Sequence, residues 1–435
     1  MSSETMSTQA RKLKNAKIKA TMLETKKRRE SQKATVFQLK IDSSHLNSKQ
    51  SEALHMIFTE AKWLRNHIVG LEDVNSYTPS NTVDVKLPDG TFDTREFRFI
   101  GSQMKQSVVT QIHNDLRGLA ASKSRGRVVG KLKFVSEVNS IDLKQHKTTY
   151  NIFPDTKRAR IQKVPGRVRV HGVTQLEGYE LANAKLVRKP SGYYLYVTCF
   201  KQIQPEVFVD EGFLGIDFGI SKNLTLSNGE TFKVYVEETE RLKKLQRKLS
   251  RQHKGSNSYQ KTVHKIRRQY ELIDNRKNDL ANKIVTYILS EAEFIFIHDE
   301  MLYSWKTRFG KTVQHSVLGR VKSKLVTHGR VFVLPKSCAT TQTCRCGKRH
   351  KMPLGIRTYV CDCGYMCDRD VHSARQMVRM GFDIFNTCGT QGFKASGDSV
   401  RLEDFIVRNH LTGYQLSSSE HESEKLEAAT SLVSR

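Results

Sequence analysis

The stretch Phe213-Leu214-Gly215-Ile216-Asp217-Phe218-Gly219 decides how the second half of the chain folds. Its apolar residues lead into a carboxylate, which predicts a buried strand with Asp217 at its end. Residues 223–227 predict a second strand, and Asn228-Gly229 supplies the positive-φ pair of a tight hairpin turn before a third strand at 231–235. The pattern therefore predicts a meander of three strands that begins a new folding unit.

The segment after this meander alternates helices with strands. Residues 237–290 have apolar positions at helical spacing, and Gly255-Ser256-Asn257-Ser258 breaks them into a helical hairpin. Buried strands are predicted at 294–297 and 330–334, with a helix near 315–327 between them. Helices and strands in this order predict an α/β domain.

Two amphipathic helices dominate the start of the chain. A short strand near 35–41 precedes a helix whose apolar residues, from Leu54 to Ile68, fall on one face. A polar loop at about 70–95 leads to a second helix, from Met104 to Leu119, with the same periodicity. The pattern predicts a small helical subdomain.

From residue 130 to 200 the periodicity changes from helical to alternating. Lys131-Leu132-Lys133-Phe134-Val135 and Arg167-Val168-Arg169-Val170 alternate basic with apolar residues, and 184–189 does the same. Pro190-Ser191-Gly192 then turns the chain into a final strand, which predicts a hairpin. Strands of this kind form a half-buried barrel or sheet that exposes a basic wall, although a merely solvated strand face is the alternative.

The composition favours a partner that is a polyanion. The chain has 435 residues, 73 Lys plus Arg and 44 Asp plus Glu, and a formal net charge of +29. Nucleic acid is the usual partner of such a surplus, whereas a ribosome-like structural binder and an anionic membrane surface are the alternatives. No stretch of about 18 apolar residues exists, so we expect no membrane partner and a cytoplasmic, nucleoid-associated protein.

The excess charge is concentrated in three places. Residues 1–34 form a basic, low-complexity arm that we expect to be disordered until it meets RNA or DNA. The alternating strands are the second place, and the helical hairpin is the third, with 13 Lys or Arg between Arg241 and Lys277 against only Glu271 and Asp274. A charge run on a helix is usually a solvated face, yet the unbalanced sign favours a phosphate-facing surface. The candidate nucleic-acid-binding residues are Lys131, Lys133, Arg167, Arg169, Lys243, Lys244, Arg247, Arg251, Arg267 and Arg268.

Six of the eight cysteines lie within thirty residues. Cys344-x-Cys346-Gly and Cys361-x-Cys363-Gly form two knuckles, each with a glycine that lets backbone amides turn toward the sulfurs. Four thiolates of this kind predict a structural Zn²⁺ in a zinc ribbon, since they leave no open position for water. The spacing inside each knuckle is one residue where two is commoner, so Cys338 and Cys367 remain candidate substitutes for one ligand each. A set of reduced cytosolic thiols is the alternative.

Three dispersed carboxylates form a second candidate site. Asp217 ends the first buried strand, Glu300 follows the strand at 294–297, and Asp370 opens a helix. If they meet at one end of a sheet, they can hold Mg²⁺ ions, which need oxygen ligands and promote phosphodiester hydrolysis.

Spacing alone leaves other readings of these carboxylates open. Asp368 could be an N-cap, and Asp299 could be the functional carboxylate instead of Glu300. The segment around Asp217 could be a bare turn, although a buried carboxylate is costly without a partner or a cation.

The order of these motifs resembles that of TnpB proteins, which are transposon-encoded relatives of the compact type V CRISPR effector nucleases. Gly215-Ile216-Asp217-Phe218-Gly219 is followed by His298-Asp299-Glu300-Met301-Leu302 with Trp305 and Lys306, then by the cysteine knuckles and by Asp368-Arg369-Asp370-Val371-His372-Ser373-Ala374. The resemblance covers about residues 35–395. It departs from the family pattern at His372, where members often have Asn, and at Glu300, which follows His298-Asp299 instead of sitting directly on the strand.

The resemblance implies an α/β, RNase H-like (RuvC-like) nuclease domain with an inserted zinc ribbon, plus a wedge β-barrel and a helical recognition lobe. It implies RNA-guided cleavage of DNA beside a short target-adjacent motif, with guide RNA and target DNA as partners of a monomer or homodimer. The catalytic carboxylates that it implies are Asp217, Glu300 and Asp370, which would bind two Mg²⁺ ions. The Zn²⁺ ligands that it implies are Cys344, Cys346, Cys361 and Cys363.

The resemblance and the charge pattern together imply the domain boundaries. These are the basic arm at 1–34, the wedge barrel at 35–44 and 130–205, the recognition lobe at 45–129, the nuclease at 206–335 and 366–397, the zinc ribbon at 336–365, and a mobile acidic tail at 398–435. A cleavage-deficient, RNA-guided repressor of the same family is the alternative function. We expect such a repressor to lack one of the carboxylates, and all three are present here.

Overall fold

The computed structural model describes residues 8–400 except 88, 204–211, 221–223, 301, 303, 354, 388–392 and 396–397. The chain divides into two compact units, with the boundary after Gln204. Cys388 and most of the acidic tail, from residue 401 onward, lie outside the described residues. Among the helices that are described, none has both the length and the apolarity that a bilayer span requires.

The helices and strands of the first unit are bounded as follows. Its helices are α1 (Thr8–Glu30), α2 (Ser48–Gly70) and α3 (Ser102–Ser124), and its strands are β1 (Gln32–Ile41), β2 (Thr82–Lys86), β3 (Phe92–Glu96), β4 (Ser140–Leu143), β5 (Tyr150–Phe153), β6 (Arg158–Ile161), β7 (Val168–His171), β8 (Glu180–Lys189) and β9 (Gly192–Gln202).

The second unit contains the remaining elements. Its helices are α4 (Glu240–Ser250), α5 (Asn257–Glu291), α6 (Lys306–His315), α7 (Leu318–Leu325) and α8 (Arg369–Thr387), and its strands are β10 (Phe213–Phe218), β11 (Leu224–Leu226), β12 (Thr231–Phe232), β13 (Phe294–His298), β14 (Val331–Leu334), β15 (Thr358–Val360), β16 (Met366–Asp368), β17 (Phe393–Ala395) and β18 (Asp398–Val400).

Seven strands of the first unit form a sheet that is nearly closed into a barrel, which confirms the expected barrel. Their order is β4-β8-β9-β1-β7-β6-β5, with antiparallel pairing throughout. Alternate residues of β9, namely Leu195, Val197 and Cys199, are fully buried, while their neighbours along the strand are half-buried. The period of two that predicted these strands therefore reflects a barrel interior.

The prediction of a barrel strand at residues 131–135 is wrong. Residues 131–135 form a loop, and Phe134 is 66% exposed. The Val135 N–H donates to Asn66 Oδ1 at 2.9 Å, and the Val135 carbonyl accepts from Asn66 Nδ2 at 3.0 Å. A side chain of α2 thus satisfies the backbone groups that a neighbouring strand would otherwise bond.

Two helices and a hairpin make up the predicted helical subdomain. Asn47 and Gln50 form a capping box at the start of α2, whose apolar face is buried. The expected polar loop instead contains the hairpin β2–β3, which turns at Gly90 with φ of 92°. Glu60 of α2 is buried, and its carboxylate accepts three backbone N–H groups, from Arg98, Phe99 and Ile100, at 2.8–3.0 Å. These bonds offset the cost of burying the charge.

The basic arm differs from its expected state, because residues 8–30 form the helix α1. The side chains of residues 15–24 are all exposed, so this part of the helix does not pack an apolar face against the barrel. Its last turn carries Lys27, Arg28 and Arg29, and Arg28 Nη2 pairs with Glu180 Oε1 at 2.7 Å.

The second unit is built on a five-stranded sheet with the order β12-β11-β10-β13-β14. The first three strands form the predicted antiparallel meander, and β13 and β14 run parallel to β10. The helix α8 packs on β10 at Gly215, where a Cβ atom would overlap the carbonyl oxygen of Ala374. The glycine is therefore needed for the close approach of helix and strand.

The predicted helical hairpin is confirmed as α4 and α5. Their shared apolar seam contains the buried residues Leu242, Ile266 and Ile273. The basic residues of both helices lie outside this seam, and most of them are exposed.

Candidate metal centres

Asp217, Glu300 and Asp370 lie on neighbouring elements of the second unit. Asp217 is on β10, and Glu300 lies two residues beyond β13, the parallel neighbour of β10. Asp370 is in the first turn of α8, which packs on β10. Parallel strands end at the same edge of a sheet, so the fold brings together two carboxylates that are 83 positions apart and adds a third from the helix.

The surroundings of these carboxylates are buried and partly cationic. Asp217 and Asp370 are 7% and 6% exposed. Ser373 Oγ donates to Asp217 Oδ1 at 3.0 Å. Asp370 lies 3.4 Å from the Arg369 Nε and 3.8 Å from an Arg357 Nη atom.

Electrostatics link the three carboxylates. The pKa of Asp217 is raised to about 7, mainly by burial; the Ser373 hydroxyl opposes this rise and the charge of Asp370 contributes to it. The pKa of Glu300 is likewise raised to about 8, mainly by burial and also by the charge of Asp217, while Lys322 opposes the rise. Carboxyl groups that shift one another in this way repel when ionised, which favours a cation between them.

The geometry distinguishes the alternatives that spacing left open. Asp368 Oδ1 accepts the backbone N–H groups of Asp370 at 3.0 Å and Val371 at 3.3 Å, so Asp368 is the N-cap of α8. The Asp299 side chain is 53% exposed and lies 3.7 Å from Lys322 Nζ, whereas the pKa of Glu300 responds to Asp217. Asp217 itself lies within a strand and not in a bare turn.

The carboxylate group fits a hard cation by its chemistry. Glu300 Oε2 is buried and has no hydrogen-bond partner among the described residues. Every donor of the set is a carboxylate oxygen, the ligand that Mg²⁺ prefers. In the described part of the chain these oxygens do not all lie within 4.8 Å of one another, which distinguishes them from the cysteine group.

Four cysteines form a compact group that could hold a metal ion. The Sγ atoms of Cys344, Cys346, Cys361 and Cys363 all lie within 4.8 Å of one another. The Cys344–Cys363 and Cys346–Cys361 sulfur distances are 3.7 and 3.6 Å. A tetrahedral Zn²⁺ with Zn–S bonds of about 2.3 Å requires sulfurs about 3.8 Å apart, so the group fits zinc.

The two knuckles that carry these cysteines have the same backbone structure. Gly347 N–H donates to the Cys344 carbonyl at 3.0 Å, and Gly364 N–H donates to the Cys361 carbonyl at 2.9 Å. Both glycines have positive φ, 87° and 82°. Each glycine therefore adopts a left-handed turn conformation that favours glycine over other residues.

The other candidate thiols lie outside this group. Among the described residues, neither Cys338 nor Cys367 joins the four sulfurs. Sequence reasoning missed His350, whose Nε2 lies 3.1 Å from Cys361 Sγ. Its spacing from the knuckles gave no metal-binding pattern, so only the folded chain reveals this contact.

Sequence reasoning also missed the residues that join the two centres. The Tyr359 ring of β15 stacks on the His372 ring of α8, with centroids 3.7 Å apart and planes at 13°. Thr340 precedes the first knuckle, and its Oγ1 lies 3.0 Å from Ser373 Oγ. Ser373 in turn donates a hydrogen bond to Asp217. These contacts connect the cysteine segment directly to the helix that carries Asp370.

The structure exposes most of the candidate nucleic-acid-binding residues. Four of them lie in the first unit, and all four are exposed, namely Lys131, Lys133, Arg167 and Arg169. The other candidates lie on α4, on α5 or in the turn that joins them. Lys243 is half-buried and pairs with Glu240 at 2.7 Å. The remaining five are exposed, namely Lys244, Arg247, Arg251, Arg267 and Arg268.

Two family models match parts of the second half of the chain. Residues 200–299 match OrfB_IS605, described as "Probable transposase", and residues 315–377 match the Cas12f1-like TNB domain. A solved structure, a Cas12f1–sgRNA–target DNA complex, aligns with 63% of this chain and 70% of that chain at a TM-score of 0.35 and 12% identity, a similarity too low to support a conclusion.

Two curated relatives carry the same description, "Putative RNA-guided DNA endonuclease". The protein from Streptomyces pristinaespiralis is 29% identical over 242 residues, which cover 52% of this chain and 58% of the relative. InsQ from Escherichia coli K12 is 26% identical over 251 residues, which cover 52% of this chain and 62% of the relative. The chain thus spans about three fifths of the length of these relatives. These matches confirm the resemblance predicted from the order of the motifs, since the chain is similar to proteins described as putative RNA-guided DNA endonucleases.

Proposed function

We propose that the protein is an RNA-guided DNA endonuclease. It would bind a structured guide RNA, recognise a short target-adjacent motif and hydrolyse DNA phosphodiester bonds at Asp217, Glu300 and Asp370. The observation that carries this proposal is the placement of three carboxylates on neighbouring elements of the second unit: Asp217 on β10, Glu300 just beyond β13, and Asp370 at the start of α8. The names of the two curated relatives support the same activity.

The topology of the second unit supports an RNase H-like, RuvC-like nuclease domain. Its sheet has three antiparallel strands in meander order, followed by two strands parallel to the first. In this proposal residues 206–335 and 366–397 form the nuclease, and the zinc ribbon at 336–365 is inserted before α8. The barrel of the first unit is proposed as the wedge domain, and α2 and α3 as the recognition lobe.

The chain's own residues prepare the carboxylate centre for a cation. Ser373 fixes one oxygen of Asp217, and Lys322 offsets part of the charge of Glu300. Burial raises the pKa of both carboxyl groups, so a bound cation would stabilise their ionised forms. Mg²⁺ ions held by Asp217, Glu300 and Asp370 would supply activation of a water nucleophile and stabilisation of the leaving oxygen.

The cysteine group is proposed as a structural Zn²⁺ site. Four thiolates satisfy a tetrahedral ion completely, and the sulfur separations of 3.7 and 3.6 Å match that geometry. The role we propose for the metal is to hold the knuckles, and through Tyr359 to support α8.

The exposed cations are proposed as contacts to the guide RNA and the target DNA. In guided nucleases base pairing reads the sequence, and the protein grips the backbone and reads the adjacent motif. Phosphate contacts of this kind make binding strongly dependent on salt.

The repressor alternative is tested by the same experiment as the endonuclease. Asp217→Ala should abolish Mg²⁺-dependent cleavage of plasmid DNA with the native RNA and leave RNA and target binding intact. Asp299→Ala is the matched control, because it removes an exposed carboxylate next to Glu300 and should cut at the normal rate. If Asp217→Ala cuts normally, the active site is wrongly assigned, and if the wild-type protein binds but never cuts, the repressor is correct.

A further inference from the structure

A cavity of about 590 Å³ lies on the first unit, beside the turn that joins β6 to β7. Phe153 at the end of β5, Arg160 on β6, and Lys163 and Arg167 of the turn line it. Its volume falls within the range of sites that hold small organic ligands. The cavity therefore has room for one nucleotide but not for a duplex.

The lining of this cavity is cationic and uncompensated. Arg160, Lys163 and Arg167 are exposed, and among the described residues none of the three has a carboxylate within ion-pair distance. By contrast, Arg169 on the adjacent strand lies 4.0 Å from Asp42. Three unpaired cations around one cavity favour an anionic ligand with more than one point of contact.

A planar pair forms one wall of the cavity. The Arg167 guanidinium carbon lies 3.8 Å from the centroid of the Phe153 ring. Arg167 is exposed, whereas Phe153 is half-buried beneath it. Guanidinium planes and aromatic rings are the surfaces on which proteins stack unpaired bases, so this wall suits a flat heterocycle.

The turn that carries the cations is held in one conformation. The buried Gln50 of α2 donates by Nε2 to the Pro165 carbonyl at 2.9 Å. Val164 is buried, and Lys163 has φ of 70°, an uncommon backbone conformation for a residue with a side chain. The cavity is thus formed before any ligand arrives, which lowers the entropy cost of binding.

We propose that this cavity binds one unpaired nucleotide of a single-stranded nucleic acid. Arg160 and Lys163 contact its phosphate, and its base stacks on the Arg167–Phe153 pair. The inference rests on the proposed function, because a guided nuclease would bind RNA and DNA that contain unpaired nucleotides. Phosphate and base chemistry is common to RNA and DNA, so the experiment must distinguish these two sources.

The test is photocrosslinking on the full-length protein. A single-stranded RNA of twelve nucleotides carries one 4-thiouridine, a DNA of the same length carries one 4-thiothymidine, and mass spectrometry finds the crosslinked residue. We expect an adduct at Phe153 with one or both strands, and the stronger of the two identifies the source. A duplex of the same sequence should give at most a tenth of this yield.

Two variants separate stacking from charge. Arg167→Ala should reduce the adduct roughly tenfold, and Arg167→Lys, which keeps the charge, should reduce it nearly as much. Arg158→Ala is the matched control, since Arg158 is an exposed arginine of β6 outside the cavity. Thermal unfolding checks that all variants fold.

The outcomes also separate this inference from the proposed function. Adducts that fall only elsewhere in the chain, equal yields with the duplex, or equal losses in Arg158→Ala and Arg167→Ala would each overturn the cavity assignment. Guided cleavage without the Phe153 adduct overturns the cavity alone. An adduct at Phe153 in a protein that never cleaves guided DNA supports the cavity and overturns the endonuclease.

Discussion

The cysteine group and the carboxylate group of the second unit are built in opposite ways. The four cysteines lie within residues 344–363, on two knuckles that repeat the same turn and the same hydrogen bonds. The carboxylates come from β10, from the segment after β13, and from α8. One short segment thus contains all four cysteines, whereas the three carboxylates come together only when distant elements pack.

The two groups also differ in how the protein treats their charge. The backbone N–H of Lys348 lowers the pKa of Cys346 to about 7, although burial raises the pKa of Cys344. At the carboxylates, burial and mutual repulsion raise the pKa of Asp217 and Glu300. The knuckle amides thus favour one thiolate anion, whereas burial and the charge of a neighbouring carboxylate disfavour ionisation of Asp217 and Glu300.

The largest expected effect is the loss of a cysteine ligand. Cys361→Ser should reduce bound zinc from one ion per chain to nearly none, because structural zinc contributes on the order of 10 kcal/mol to small metal-bound folds. The measurement is metal content by mass spectrometry, with hydrogen exchange of residues 344–367. Cys367→Ser is the control and should keep its zinc, and a Cys361→Ser protein that also keeps its zinc would contradict the assigned ligand set.

The next effect concerns the charge of Asp217. Its pKa in the folded state is raised above the value of about 3.9 in an unfolded chain, so ionisation destabilises the fold. The penalty is absent below pH 4, grows as the pH rises to 7 and is complete above 7. Asp217→Asn should therefore raise the free energy of unfolding at pH 8 by an amount on the order of 4 kcal/mol, and hardly change it at pH 4.

Urea unfolding in the presence of a chelator measures this difference in the free energy of unfolding. Asp299→Asn is the control, because it changes an exposed carboxylate. Mg²⁺ should stabilise the wild-type protein at pH 8 and have little effect on Asp217→Asn. Equal stabilisation of both proteins by Mg²⁺ would rule out Asp217 as a ligand.

A smaller effect is expected at the contact of α8 with the sheet. Gly215→Ala should destabilise the protein by about 1–3 kcal/mol, since the new Cβ would overlap the Ala374 carbonyl. Gly319 of α7 has open space around its Cα, so Gly319→Ala should instead stabilise by up to about 1 kcal/mol. Chemical denaturation of the two variants gives the comparison, and equal effects would show that α8 tolerates a shift away from β10.

The smallest effect concerns the stack that joins the two centres. A double-mutant cycle of Tyr359→Leu and His372→Leu should give a coupling energy of about 0.5–1.5 kcal/mol. Hydrogen exchange at residues 369–375 should rise in each single variant. If exchange there stays unchanged, the cysteine segment does not support the helix that carries Asp370.

Local patterns were enough for much of this protein. Asn228-Gly229 specified a hairpin, and Gly255-Ser256 lies in the break between α4 and α5, whereas Asn257 and Ser258 already begin α5. The spacing of the cysteines predicted the group that the fold assembles, while its metal stays a prediction. Each of these features depends on turn chemistry or periodicity within a few residues, and such features are readable without knowledge of the fold.

Only the tertiary structure decided the rest. The alternation of 131–135 predicted a strand, but Asn66 supplied its hydrogen bonds and left it a loop. Asp299 and Glu300 are adjacent in sequence, and packing buried the Oε2 atom of Glu300 while it left the Asp299 side chain exposed. The Tyr359–His372 stack and the cavity at Phe153 likewise join distant segments. Burial and long-range pairing set these features, and a pattern within a few residues contains no information about which distant group will arrive.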